Sequence, residues 1–125
     1  MSNELDKVAR KAEKRGIPNI ARHIFFCGNS GCCKDKDEAK STGKVLARAA
    51  KQSREGELPF EVTPVECLSL CVQGPLCVVY PDGVWYARVD EKAALRIVEE
   101  HLEKGEVVEE LVFARSGAAL KEVAR

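Results

Sequence analysis

No stretch of this 125-residue chain approaches the roughly 20 consecutive apolar residues that a membrane-spanning helix needs, and its first segment, Met1 to Arg22, is mostly charged. Neither a membrane span nor an export leader is expected, so the reading is a cytoplasmic protein. Charge of one sign is missing too. With 20 Lys+Arg against 20 Asp+Glu, nothing global argues for a nucleic-acid partner or an acidic membrane surface. There is no Rossmann fingerprint and no P-loop, so nothing in the chain itself points to nucleotide binding. The C-x-x-C spacing that gives thiol–disulfide enzymes their low-pKa nucleophile is absent. Internal repeats and low-complexity segments are also lacking.

What the chain has is cysteine. Its length suits one domain with a modest core, and 6 cysteines in a compartment that keeps thiols reduced favour metal ligation or redox chemistry over a disulfide framework. Five of them form two groups: C-G-N-S-G-C-C, with Cys27, Cys32 and Cys33, and C-L-S-L-C, with Cys67 and Cys71. Two pairs so far apart need a folded domain to unite them, which is the outline of a four-thiolate metal site. Cys77 sits in the apolar run L-C-V-V-Y and reads as a small buried hydrophobe. His23 and His101 have no ligand spacing to each other or to the cysteines and read as surface or strand-end residues. That argues against a mixed His/Cys centre of the Rieske kind.

Two alternatives use the same residues. A structural zinc site is commonly built from C-x2-4-C pairs, although cysteines flanking a whole strand-helix-strand unit fit poorly with a compact zinc ribbon. A thiol–disulfide centre could use the vicinal Cys32-Cys33 or the Cys67/Cys71 pair.

Leu5, Val8, Ala9 and Ala12 recur at helical spacing before Gly16 and Pro18, predicting a short amphipathic helix packed on the domain. H-I-F-F-C at 23–27 reads as a buried strand that delivers Cys27 at its end. A first core helix is expected from about Asp37 to Arg54, with Ala39, Leu46 and Ala49/Ala50 on one face and Gly56 as a stop. Phe60 to Glu66 alternates as a strand, and its Pro64 requires an edge position or a bulge. Leu76–Tyr80 and residues 84–89 make a hairpin across Pro81-Asp82-Gly83, with one of Trp85 and Tyr86 in the core and the other partly exposed. Asp90 caps a helix through about Lys104 that buries Ala94, Leu95, Val98 and Leu102 and ends at Gly105. Val107 to Phe113 is a further strand or a docked tail.

This order of elements predicts an α/β sandwich of the thioredoxin-like kind: a mixed sheet of about four strands, two main helices and an added N-terminal helix. Both cysteine groups then follow strand ends, the usual place for a site in an open α/β sheet. The expected divisions are an N-terminal helical extension at 1–21, the domain at 22–113 and a C-terminal tail at 114–125. The first part, 1–56, carries 13 Lys+Arg against 7 Asp+Glu, and 57–125 carries 7 against 13. Such a dipolar molecule suits docking of a charged protein.

Across roughly residues 22 to 113 the chain resembles the thioredoxin-like [2Fe-2S] ferredoxins, related to the small cluster-carrying subunit of the NADH-oxidising module of respiratory complex I. The resemblance rests on R-H-I-F-F-C-G-N-S-G-C, on E-C-L-S-L-C-V-Q-G-P, and on V-V-Y-P-D-G-V-W-Y-A-R-V with a following helix that ends E-E-H-L-E-K-G. It implies one [2Fe-2S] cluster per chain held by Cys27, Cys32, Cys67 and Cys71. Cys33 is the alternative to Cys32: Cys32 reproduces the C-x4-C spacing of the complex I relatives, whereas Cys33 gives C-x5-C. Many relatives carry a Gly soon after the second cysteine; here that stretch is Lys34-Asp35-Lys36-Asp37.

The same resemblance implies an electron carrier rather than an enzyme, working with redox partner proteins, a reductase or an oxidoreductase. Homodimers occur among such ferredoxins, and a hairpin with an exposed aromatic is compatible with one. Gly28, Gly31 and Gly74 are placed where small residues let backbone N–H groups approach the sulfurs. Gly74-Pro75 is where thioredoxin folds often have a cis-proline.

Overall fold

The structure, a computed structural model, describes residues 2–27, 36–66, 68, 70 and 74–117. Helix α1 spans Ser2–Lys14 and a short 3-10 turn follows at Ile17–Asn19. The central unit is β1 (Arg22–Cys27), α2 (Lys36–Ser53), β2 (Phe60–Val65), β3 (Leu76–Tyr80) and β4 (Val84–Tyr86). Helix α3 (Glu91–Arg96) continues as a π-helical stretch over Ile97–Leu102, and β5 (Val112–Arg115) closes the order.

The sheet has five strands in the order β2-β1-β3-β4-β5, one more than expected. The additional strand comes from the last apolar piece: Val107 and Leu111 dock against the core, and the chain then pairs antiparallel with β4. Strands β1 and β2 are parallel with α2 between them, and all other pairings are antiparallel. Pro64 lies on β2, an edge strand, where its missing N–H costs no ladder bond.

Both main helices cover one face of the sheet. Leu46 and Ala50 from α2, and Ala94, Ile97, Val98 and Leu102 from α3 and its continuation, meet Ile24, Phe26, Phe60, Cys77, Val79, Val84 and Tyr86. Asp90 caps α3 as expected, accepting a 2.8 Å hydrogen bond from the Ala93 N–H. The expected buried face is corrected at one position: Leu95 is exposed, because the stripe that fits the sheet runs Ala94, Ile97, Val98, His101 and Leu102, and Leu95 projects to its side. The wider π turn, with Glu103 N–H bonded to the Val98 carbonyl, keeps four of its six residues buried.

Helix α1 forms as its periodicity predicts, yet no described residue covers its apolar row. Leu5 and Val8 are 74% and 67% exposed, and an ion pair from Arg15, just beyond the helix, to Glu61 at 3.0 Å ties this region to β2. Trp85 and Tyr86 divide as expected, Tyr86 being fully buried and Trp85 half-buried. The peptide bonds Gly74-Pro75 and Tyr80-Pro81 are both cis.

Candidate metal centre

Cys27 ends β1, the second strand in from the edge. Its register places it between Val65 of parallel β2 and Leu76 of antiparallel β3. One cysteine-bearing segment therefore leaves the sheet at Cys27 and rejoins the described structure at Lys36, the start of α2. The other leaves at the end of β2 and rejoins at Gly74, just before β3. All four anchor points lie at one end of the sheet, as the parallel β1/β2 pair and the short return into β3 require. Cys32, Cys33, Cys67 and Cys71 lie outside the described residues, as do Gly28 and Gly31.

The Cys27 sulfur is fully buried in a small apolar cluster with Ala39 of α2 and Leu76, edged by Val65, Leu68 and Ala87. Its thiol donates to the Glu66 carbonyl at 3.5 Å, which places the sulfur beside the backbone that leads into Cys67. A thiolate in so dry a setting is stable when a metal cation neutralises it, so the surroundings of Cys27 fit a metal ligand. Ala39 was placed on the core face of its helix and not beside Cys27, and Glu66, Leu68 and Ala87 were not singled out as neighbours of Cys27. Only Glu66 carried a local signal there, its adjacency to Cys67.

Cys77 is the reverse case. It faces the main core between Phe26 and Tyr86, and burial pushes its thiol up to about 12, so it stays a protonated hydrophobe, as expected.

The reading of His101 is corrected. It is fully buried because both ring nitrogens find partners distant in sequence: Nδ1 lies 2.8 Å from the Tyr86 hydroxyl and Nε2 lies 2.5 Å from an Asp82 carboxylate oxygen. The Val108 N–H donates to the same Tyr86 oxygen at 3.1 Å, and burial holds the phenol protonated by pushing it up to about 12. Tyr86 therefore donates to Nδ1, and Nε2–H donates to Asp82. Arg22 also donates to Asp82, at 3.0 Å. The Asp82 end of this chain of bonds sits at the hairpin turn, beside Arg22 at the N-terminal end of β1, and Tyr86 reaches it from the register of Cys77 and Phe26. His23 lies on the helix-free face of β1, stacked on Phe25 with centroids 4.4 Å apart and 2.6 Å from the Thr63 hydroxyl. Among the described residues no group of three or more His, Cys, Asp or Glu side chains is arranged to hold a metal ion.

The fold is a thioredoxin-like α/β domain in which both cysteine-bearing segments leave the sheet at one end. A 2Fe-2S ferredoxin of Aquifex aeolicus (strain VF5) is 50% identical over 105 residues, covering 75% of this chain and 90% of that protein. A 2Fe-2S ferredoxin of Clostridium pasteurianum is 35% identical over 100 residues, covering 74% and 96%. In three dimensions the chain matches a thioredoxin-like [2Fe-2S] ferredoxin from Aquifex aeolicus with a TM-score of 0.68 at 30% identity, over 78% of this chain and 94% of that one. No protein-family model matches. The chain belongs to the [2Fe-2S] ferredoxins, iron–sulfur electron carriers, in their thioredoxin-like form.

Proposed function

We propose that Cys27, Cys32, Cys67 and Cys71 hold one [2Fe-2S] cluster, and that the chain shuttles single electrons between a reductase and an oxidoreductase without making or breaking a substrate bond itself. The observation that carries this reading is the shared origin of both cysteine segments at one sheet end, around the buried sulfur of Cys27. Two thiolates per iron complete tetrahedral coordination, and the bound cluster supplies a reversible one-electron couple. The protein's part is to exclude water on the Cys27 side through Ala39, Val65 and Leu76 and to keep the centre near a surface that a partner can reach. In this reading residues 22–113 form the carrier domain, 1–21 an extension and 114–125 a tail whose first residues complete β5.

Single Cys→Ser replacement tests the ligand set. Loss of the cluster, read from visible absorption and bound iron, is expected at Cys27, Cys32, Cys67 and Cys71, with retention at Cys33 and Cys77. A Cys33→Ser protein that loses its cluster while Cys32→Ser keeps it would transfer the second ligand to Cys33.

No described helix is long and apolar enough to cross a membrane, and we place the carrier in the cytoplasm. We also assign it to a homodimer through the sheet face that no helix covers. That face carries Phe25 and Tyr80, with ring centroids 6.3 Å apart, and Trp85 against Phe113, also at 6.3 Å; Tyr80 and Phe113 are 38% and 45% exposed. Light scattering should give twice the chain mass, and Phe113→Glu should return it to one.

A further inference from the structure

Helix α2 leads away from the cysteine end of the sheet, and its outer side carries Lys40, Lys44, Arg48 and Lys51. Their spacing, by fours and then three, puts them in one row, about 16 Å long at the rise of an α-helix. All four are exposed, and none forms an ion pair with a described residue. The carboxylates of the same helix, Asp37 and Glu38, are confined to its first turn, where they complement the helix dipole.

Beside this row runs an apolar groove between α2 and the edge strand β2, floored by Phe26, Ala39, Gly43, Ala47, Pro64 and Val65. Lys40 and Lys44 rim it against one carboxylate, Glu66. The groove is continuous with the surroundings of Cys27: Ala39 and Val65 belong to both, and the Glu66 carbonyl accepts from the Cys27 thiol. A cationic row with no ion-pair partner among the described residues, flanking an apolar trough, has the anatomy of a protein-docking surface, with charge for steering and an apolar centre to exclude water. The trough here reaches the residues that pack around the Cys27 sulfur.

We infer that this groove and the α2 row form the docking site for an acidic protein redox partner, whose carboxylates pair with Lys40, Lys44, Arg48 and Lys51. A long polyanion such as nucleic acid fits less well. The row is short, and residues 57–125 carry 13 Asp+Glu against 7 Lys+Arg, which repel phosphate over the rest of the molecule.

The inference rests on the electron-carrier reading, and the experiment separates the two. Reduced holoprotein is mixed by stopped flow with the oxidised soluble domain of cytochrome b5, an acidic one-electron acceptor; cytochrome c, a basic one, is the control. The rate with cytochrome b5 should fall roughly tenfold between about 0.02 and 0.5 M salt. It should fall by a similar factor in K40Q/K44Q/R48Q/K51Q at low salt, and again in A47E, which sets a carboxylate in the groove, while the visible spectrum and the cytochrome c rate hold. K7Q/R10Q/K11Q/K14Q, with the same charge loss on α1, should keep the wild-type rate. A wild-type rate in the α2 variant, or an equal loss in the α1 variant, overturns the docking site and leaves the carrier reading intact. A protein that stays colourless after reconstitution overturns the carrier reading. Docking is then decided by calorimetry of the protein as purified against cytochrome b5: it stands if the α2 substitutions weaken binding roughly tenfold and falls if they do not.

Discussion

Removing one oxygen from the interior should destabilise this fold by an amount that its hydrogen bonds fix in advance. The Tyr86 hydroxyl accepts from the Val108 N–H at 3.1 Å and donates to His101 Nδ1 at 2.8 Å. Val108 is 2% exposed and His101 is 0%, so in Tyr86→Phe no water replaces the lost partner. Each buried group left unpaired costs about 1–3 kcal/mol. Recovery of the hydroxyl's own desolvation offsets part of the sum, leaving about 2–4 kcal/mol. For a domain near 100 residues that lowers the thermal midpoint by about 10 °C or more. The assay is thermal unfolding of the two holoproteins at one scan rate, followed by far-ultraviolet circular dichroism. The visible spectrum serves as control, because the hydroxyl's partners, His101 and Val108, are not among the residues packed around Cys27. A midpoint lowered by less than about 2 °C would refute the reasoning, since it would mean that one of the two groups re-pairs at no cost.

Three further outcomes follow from single positions. Burial alone would raise the pKa of Asp82, but the hydrogen bonds from His101 and Arg22, and the charge of Arg22, hold it below its ordinary value. The stability it contributes is therefore complete above the ordinary aspartate value of about 3.9 and is lost as pH falls through the lower folded value; the wild-type advantage over Asp82→Asn in cluster-bleaching half-life should be constant from pH 7 to about 5 and shrink below about 4. Gly83 has φ +71°, and a Cβ there would lie 2.5 Å from the Ser116 carbonyl oxygen, so Gly83→Ala should cost about 1–3 kcal/mol in urea unfolding; an unchanged midpoint would contradict it. The Thr42 hydroxyl is buried on α2 with no hydrogen-bond partner among the described residues, so Thr42→Val should raise stability by about 1 kcal/mol. A loss instead, with a shifted reduction potential, would show that the hydroxyl serves the centre.

The framework was legible wherever local chemistry and the global fold agree. Pro64 excluded an interior strand, Asp90 announced the start of α3, and the run H-I-F-F-C placed Cys27 at a strand end, as the structure has it. What escaped depends on residues far apart in sequence. His101 looks like a polar surface residue until Tyr86 and Asp82, 15 and 19 positions away, supply partners for both nitrogens. Leu95 looks buried by hydrophobicity, but the stripe that meets the sheet runs through Ala94, Ile97, Val98 and Leu102 and leaves Leu95 outside it. The apolar row of α1 predicts a helix correctly and its packing incorrectly, because periodicity reports what an element can bury and not whether a neighbour is present. The fifth strand was ambiguous because it is only four residues long, Val112–Arg115, and three of them pair with β4. At the candidate site, spacing shows which thiols can converge; the choice between Cys32 and Cys33 turns on loop geometry that spacing does not encode.

The most direct test of the central claim is the visible absorption of anaerobically purified protein before and after dithionite, with iron and acid-labile sulfide counted per chain. Red-brown protein that bleaches on reduction and contains about two irons and two sulfides per chain is the result expected of a [2Fe-2S] carrier. Colourless protein holding a single zinc ion would contradict the account and assign the cysteines to a structural metal site.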